Sequence, residues 1–166
     1  MIDLRPTLVL ALGNPLRGDD GVGAAVLAYL ENCVLPPGVT LLDGGTPGLE
    51  TALIIRDYGR VIIIDAAEMG TAPGTWRRFS PSHGHLREDQ EALRGTLHNA
   101  GLAEALALAQ ALGILPSEIV IYGVQPEIIG WEPGLSDPVR AVVPQIGRKI
   151  TEHWEAFTNG QDSGSG

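Results

Sequence analysis

A glycine-rich segment near the start of the chain carries two adjacent carboxylates. It runs from Gly13 to Gly23 and follows directly on the apolar run Leu8–Leu12. A buried strand is therefore predicted to enter a glycine turn at the point where a helix begins. Glycine turns at this position of an α/β sheet commonly bind phosphate. Because Asp19 and Asp20 make this turn acidic, we expect it to bind a cation or a proton instead.

Two further carboxylates stand at the ends of predicted strands. Asp43 follows the run Val39–Leu42, and Asp65 follows the fully apolar run Val61–Ile64. The carboxyl ends of parallel strands meet at one edge of a sheet, where open α/β sheets place their ligands. A single aspartate at such a position is often a helix cap, which is the role, with turn shaping, that we expect for Asp19. Three acidic positions at one edge favour a shared site.

A histidine at the predicted start of the third helix adds an imidazole to this edge. Together, Asp20, Asp65 and His98 would form a metal site with two carboxylates and one imidazole. Such a set leaves coordination positions open for water or a substrate group. Nickel, zinc, cobalt and iron all fit these ligands, and the residues alone do not select among them. The other three histidines are expected at the surface, outside the site: His83, His85 and His153.

A nucleotide-binding module is the first alternative. An acidic residue after the second strand, here Asp43, can hold a ribose hydroxyl. However, Gly18–Gly23 does not match G-x-G-x-x-G, and the chain contains no G-x-x-x-x-G-K-[ST] segment. The G-x-S-x-G and H-E-x-x-H motifs of other hydrolases are also absent. The single cysteine, Cys33, falls on the apolar stripe of the first helix and is expected in the core.

The elements that position these residues alternate between strand and helix. Apolar residues at three- and four-residue steps predict helices that begin near Val22, Leu49, Leu102 and Pro138. This alternation predicts a three-layer α/β/α sandwich with a mostly parallel sheet of about five strands. The remaining predicted elements are a strand at Glu118–Val124, an edge strand at Thr75–Phe79 and a long surface loop at Ser80–Gly95.

Composition places the chain among single-domain globular proteins. Of its 166 residues, 44% are hydrophobic and 19% are charged, which predicts one globular domain over residues 1–158. The tail over residues 159–166 is rich in glycine and serine and is predicted to be disordered. The net charge of −9, without a basic patch, argues against nucleic-acid and membrane partners. One cysteine, no signal peptide and no span of membrane length together predict a cytoplasmic protein.

Taken in order along the chain, these motifs resemble the hydrogenase maturation endopeptidases, which trim the large subunit of [NiFe] hydrogenases. The resemblance extends from about Leu8 to Ile150. Any one motif would be a weak signal, whereas several in the right order and spacing are specific. The motifs that carry it are Gly13–Gly23, Asp43–Thr46, Ile64–Ala66, His98–Leu102 and Tyr122–Glu127.

The resemblance implies roles for individual residues. It makes Asp20, Asp65 and His98 the metal-binding and catalytic positions, with Asp20 where some members carry glutamate. It assigns substrate recognition to the turn of Asp43, Gly44, Gly45 and Thr46. The implied substrate is a large-subunit precursor that already carries nickel, from which the protease removes a C-terminal extension. The nickel would come with the substrate, although other divalent metals fit the same ligands.

The second alternative is a protein that uses the same residues for binding but does not hydrolyse the precursor. A nickel chaperone or assembly partner would bind the precursor at this site and leave its length unchanged. The leading prediction from the sequence is an endopeptidase. A nucleotide-binding module and a non-catalytic chaperone remain the two alternatives at this point.

Overall fold

The computed structural model describes residues 6–81 and 99–159. Five strands and four helices lie in these ranges, together with one 3₁₀ turn at Gly18–Gly21. The strands are β1 (Thr7–Ala11), β2 (Val39–Asp43), β3 (Arg60–Ala66), β4 (Trp76–Phe79) and β5 (Glu118–Val124). The helices are α1 (Val22–Glu31), α2 (Leu49–Ile55), α3 (Asn99–Ala111) and α4 (Asp137–Asn159).

The five strands form one mostly parallel sheet in the order β2-β1-β3-β5-β4. The first four strands of this order are parallel, and β4 pairs antiparallel with β5 at the edge. The predicted three-layer α/β/α sandwich is confirmed, as is the predicted edge strand near residues 75–79. The carboxyl ends of β1, β2, β3 and β5 therefore meet at one edge of the sheet, and their amino ends meet at the other.

Alternate residues of the central strands build two hydrophobic cores. In β3, Ile62 and Ile64 face the core that contains residues of α1 and α4, whereas Val61 and Ile63 face the core of α2 and α3. All four side chains are fully buried. Strands buried on both faces are continuous apolar runs, which is why their positions were predictable. No helix in the described ranges is both long enough and apolar enough to cross a membrane.

Helix α1 packs close against the sheet because its second residue is Gly23. A Cβ atom at Gly23 would lie 2.9 Å from the Ile64 carbonyl oxygen and 3.0 Å from the Ala11 Cβ. Any larger residue would push the helix away from β1 and β3. This glycine therefore fixes the start of α1, and the acidic turn just before it, against the carboxyl edge of the sheet.

Cys33, just after the end of α1, is less buried than predicted. The helix ends at Glu31, and the next two N–H groups bond to carbonyls only three residues back, from Asn32 to Tyr29 and from Cys33 to Leu30. This tightening turns the chain away from the helix axis. Cys33 is consequently partly exposed, and its predicted core position is wrong.

At the amino edge, an ion-paired network surrounds Glu118. Its carboxylate accepts hydrogen bonds from Arg60 Nε at 2.6 Å and from His153 Nε2 at 3.1 Å. Arg78 can only donate, so it donates to His153 Nδ1 at 3.0 Å. The hydrogen bond from His153, with the hydrogen bond and charge of Arg60, lowers the pKa of Glu118 to about 2 against the opposing effect of burial. The His153 side chain is 12% exposed, so its predicted surface position is wrong.

Two predictions fall largely outside the described residues. Of the predicted loop Ser80–Gly95, the structure describes residues 80 and 81. Helix α4 extends to Asn159, one residue into the predicted tail, and residues 160–166 lie outside the described ranges.

Candidate functional site

Backbone hydrogen bonds join three segments of chain at the carboxyl edge. Leu12 N donates to Ile64 O at 3.0 Å, which ties the exit of β1 to β3. One residue later, Gly13 N donates to Gly45 O at 3.0 Å, which ties the same segment to the turn after β2. The predicted acidic positions therefore lie on segments that are held directly against one another.

Asp20 lies directly over the segment that leaves β1. Its side chain belongs to the 3₁₀ turn, is 2% exposed, and accepts a hydrogen bond from Asn14 N at 2.8 Å. Gly13 has a φ of +114°, and a Cβ atom there would lie 2.2 Å from Asp20 O and 3.0 Å from Asp20 Oδ1. Only glycine allows this contact. The glycine turn thus allows the Asp20 carboxylate to pack over the end of β1.

Asp65 is fully buried within β3, one residue before its end. The sequence placed it just after the strand, so the strand is longer than predicted. Strand alternation puts Asp65 on the same side of the sheet as Ile63, facing α2 and α3. A carboxylate buried to this extent requires polar partners or a cation. Because Leu12 N bonds to Ile64 O, Asp65 and the Gly13 segment beneath Asp20 are neighbours across β1 and β3.

Asp43 stands apart from this pair. It is the exposed last residue of the edge strand β2, and its Oδ1 accepts a hydrogen bond from Gly45 N at 3.1 Å. Its register partner is Ala11, whose side chain faces the core of α1 and α4, so Asp43 and Asp65 belong to opposite faces of the sheet. Asp43 shapes the exposed turn that continues to Thr46, beside the carboxylate pair but outside it.

His98, the predicted third ligand, lies outside the described residues, as do His83 and His85. The described part of α3 starts at Asn99 and packs against the turn after β2. A Cβ atom at Gly101 would lie 2.4 Å from Pro47 O. The start of α3 thus stands at the same edge of the sheet. Within residues 6–81 and 99–159, no three His, Cys, Asp or Glu side chains form a group that could hold a metal.

Asp19 has a structural role that its sequence neighbours do not reveal. It is 1% exposed and does not cap a helix. Instead, its Oδ2 accepts hydrogen bonds from Glu127 N at 2.8 Å and Ile128 N at 3.0 Å. Ser136 donates its N–H to Oδ1 and its hydroxyl to Oδ2, both at 2.7 Å. These partners are more than 100 residues away in sequence, so no local pattern could have revealed them.

The hydrogen bonds to Asp19 also set its charge state. Burial raises the pKa of the Asp19 carboxyl, but the donors from Ile128, Ser136 and Glu127 outweigh burial and lower the pKa below its ordinary value. Asp19 is therefore a carboxylate at neutral pH. The predicted helix-capping role for Asp19 is wrong, and its carboxylate instead holds the segment after β5.

That segment, residues 126–136, lies against the first turn through further contacts. Gly18 N donates to Glu132 O at 2.8 Å, and Asp19 N donates to Ile128 O at 2.9 Å. The Arg17 guanidinium carbon lies 4.7 Å from the centre of the Trp131 ring. No role for Trp131 was predicted, since a lone tryptophan in a segment without regular periodicity gives no signal of its contacts.

Gln125, at the exit of β5, fixes the segment after β3. Its side chain is 4% exposed. Its Oε1 accepts a hydrogen bond from Met69 N at 2.6 Å, and its Nε2 donates to Glu68 Oε1 at 2.8 Å. The segments that follow β1, β3 and β5 are thus mutually braced. The carboxylates of Asp20 and Asp65 therefore lie on segments that are held against one another, and carboxylate oxygens are donors that suit a divalent cation.

Comparison with known proteins agrees with this architecture. Residues 24–153 match the family HycI, hydrogenase maturation protease. The chain is 32% identical over 169 residues to the hydrogenase expression/formation protein HupD of Rhizobium leguminosarum bv. viciae, covering 95% of this chain and 80% of that protein. It is 29% identical over 153 residues to the hydrogenase 3 maturation protease of Escherichia coli K12, covering 89% of this chain and 90% of that protein.

A solved structure shows the same fold. The hydrogenase maturating endopeptidase HybD from E. coli superimposes with a TM-score of 0.79 at 28% identity, covering 96% of this chain and 94% of that chain. The α/β sandwich with its acidic carboxyl edge is thus that of a peptidase. The chain belongs to the hydrogenase maturation protease family. This membership decides against the nucleotide-binding and non-catalytic alternatives.

Proposed function

We propose that this peptidase removes the C-terminal extension of a [NiFe] hydrogenase large-subunit precursor that carries nickel. The observation that carries the proposal is the pair of buried carboxylates, Asp20 and Asp65, on adjoining segments of the carboxyl edge in a member of this family. Carboxylate oxygens are ligands that suit a divalent cation, and a cation brought by the substrate would be bound between these two segments.

Asp20, Asp65 and His98 are the proposed ligands and catalytic residues. Aspartate oxygens and an imidazole nitrogen suit nickel, and other divalent metals fit them too. The start of α3 lies at this edge because Gly101 packs against Pro47. This position supports His98 as the third ligand. A metal bound here would polarise the scissile carbonyl and lower the pKa of an attacking water. Cleavage would then depend on nickel loading of the precursor.

The turn from Asp43 to Thr46 is the proposed recognition element. Asp43 and Thr46 are exposed, and Gly45 bonds directly to the Gly13 segment beneath Asp20. A precursor segment bound along this turn would therefore pass close to the carboxylate pair. Because Asp43 lies on the opposite face from Asp65, we assign it to binding the polypeptide rather than to metal ligation.

A processing assay tests the proposal. Nickel-loaded and nickel-free precursor are incubated side by side with the protease, and the mass of the large subunit is measured before and after. We expect shortening of the loaded precursor alone. Asp20→Ala and His98→Ala should abolish it, whereas Glu118→Gln, at the opposite edge, should not. Full processing by both site variants would refute the assigned site, and an unchanged mass with wild-type protein would refute the activity.

We also propose that the reaction takes place in the cytoplasm. The single cysteine, Cys33, excludes an internal disulfide and fits a reducing compartment. Cell fractionation with an antibody to the protein checks this, and recovery in the periplasmic fraction would contradict it.

A further inference from the structure

Three large apolar side chains are exposed beside the candidate site. They are Leu16 at 64%, Ile128 at 60% and Trp131 at 82% exposure, and we call them the docking patch. Leu16 belongs to the first glycine turn, while Ile128 and Trp131 belong to the segment after β5. Scattered exposed apolar residues are ordinary, but a group that includes a tryptophan is typical of a protein-binding surface.

The docking patch is held in place before any partner arrives. Arg17 stacks on the Trp131 ring with its guanidinium carbon 4.7 Å from the ring centre. Asp19 bonds to the N–H group of Ile128 at 3.0 Å, and Gly18 bonds to Glu132 O at 2.8 Å. A rigid exposed aromatic ring loses little conformational entropy on binding, so it serves well as an anchor.

The docking patch adjoins the turn that carries Asp20, one of the two carboxylates of the candidate site. Asp19, which bonds to Ile128 through both its N–H and its carboxylate, is the residue directly before Asp20. Arg17, which supports Trp131, is three residues before Asp20. A protein that contacts the docking patch therefore touches the same turn that carries a proposed ligand.

The charged residues around the docking patch indicate which kind of partner surface it would bind. Glu127 and Glu132 are both exposed and flank the apolar residues, in a chain with a net charge of −9. A complementary surface would be apolar at its centre with lysine or arginine around it. An exposed apolar patch of this kind fits the surface of a folded protein rather than a small molecule.

We propose that the docking patch binds an apolar, basic-rimmed surface on the folded body of the large-subunit precursor, while its extension enters the carboxylate site. This inference rests on the proposed function. It divides recognition into two parts: the Asp43 turn meets the segment to be cut, and the Trp131 side of the site holds the body of the substrate.

The test measures processing rate against concentration of nickel-loaded precursor. Trp131→Ala should raise the half-saturating concentration about 10- to 30-fold, which is the effect of removing a binding hot spot, with a far smaller fall in the saturated rate. Trp131→Phe should keep most of the affinity because it keeps a ring. Val34→Ala is the matched control, since Val34 is 97% exposed outside the docking patch and its loss should change nothing.

A second arm measures binding by calorimetry with the same precursor, kept nickel-free so that no cleavage intervenes. Weaker binding by Trp131→Ala than by Val34→Ala supports the docking patch even if cleavage fails for another reason. Equal processing and equal binding by the two variants would overturn the docking patch and leave the proposed function standing. If the wild-type protein neither cleaves nor binds the precursor, both proposals fall.

Discussion

Buried or half-buried carboxylates stand at both ends of this sheet, but they are compensated in different ways. At the amino edge, Glu118 is paired with the side chains of Arg60 and His153. At the carboxyl edge, Asp19 is held by three backbone N–H groups and one hydroxyl. The first arrangement neutralises a negative charge with a positive one, whereas the second preserves the negative charge and only solvates it.

Glu118 and Asp19 both stabilise the fold, but Asp19 is held by neutral donors and therefore leaves a negative charge at the carboxyl edge. A paired carboxylate such as Glu118 has no further demand for a cation. Asp20 and Asp65 lie at the edge where Asp19 keeps its negative charge, which is consistent with our proposal that this edge binds a cation. Removing the charge of Asp20 or Asp65 should therefore mainly affect activity, whereas removing the carboxylate of Asp19 or of Glu118 should mainly affect stability.

The largest effect should come from Asp65→Asn. The substitution keeps the size of the side chain but removes the charge of a proposed ligand, so we expect processing of nickel-loaded precursor to fall more than about 100-fold. Processing is followed by mass spectrometry, with circular dichroism to verify folding. If the Asp65→Asn protein kept more than a tenth of the wild-type processing rate, the proposed distinction between the two edges would be wrong.

Asp19→Ala should cause the largest loss of stability. Removing the carboxylate leaves the N–H groups of Glu127, Ile128 and Ser136 without their acceptor, at a cost of about 3 kcal/mol. For a domain of this size, Tm should fall by about 6–12 °C, as measured by calorimetry. Asp137→Ala is the control, because its side chain is 96% exposed and its loss should cost less than about 0.5 kcal/mol.

Glu118→Gln should show a pH-dependent loss of stability. The folded pKa of about 2 lies below the ordinary value of 4.5, so the charged group stabilises the fold above about pH 4.5. That contribution is lost as pH falls from 4.5 toward 2. Allowing for its 30% exposure, we expect a cost of about 1–2 kcal/mol at pH 7.

Urea unfolding of wild-type and Glu118→Gln protein at several pH values measures this difference. The two unfolding free energies should converge near pH 2. A difference that stays constant from pH 7 to pH 2 would show that the Arg60–Glu118–His153 network is not the source of the stability.

The smallest stability effect should come from Asp43→Asn. Asp43 is exposed and accepts one hydrogen bond from Gly45, which asparagine can also accept, so the free energy of unfolding should change by only a few tenths of a kcal/mol. If the turn recognises the precursor, the half-saturating precursor concentration should still rise several-fold. An unchanged concentration dependence would remove Asp43 from substrate recognition.

The sequence predicts those features that depend on local pattern. The central strands are continuous apolar runs, so the run Val61–Ile64 correctly predicted that Asp65 lies at the carboxyl edge, although Asp65 lies within β3 rather than just after it. The place of Asp20 in a glycine-rich turn between β1 and α1 was also predicted from the sequence, whereas its contact with Gly13 was not. The strand order and the antiparallel edge of β4 needed the three-dimensional structure.

What the sequence did not predict depends on contacts between distant residues. The roles of Asp19 and Gln125 come from partners 50 to 120 residues away, and His153 reaches Glu118 across the sheet edge. The misplacement of Cys33 has a different cause, because three-residue hydrogen bonds ended α1 earlier than its apolar stripe suggested. Periodicity identifies which face of an element is buried, but it does not identify where the polar side chains find their partners.

The hydrogen bonds from Ser136 to Asp19 span 117 residues of chain. The first turn is synthesised early, yet it cannot reach its final form until the segment after β5 has emerged and returned to it. We therefore expect this edge to become ordered late in folding, after the central strands have paired. An incomplete chain would then hold a formed sheet without a competent peptidase site. Substitutions at Asp19 should accordingly speed unfolding while leaving the refolding rate almost unchanged.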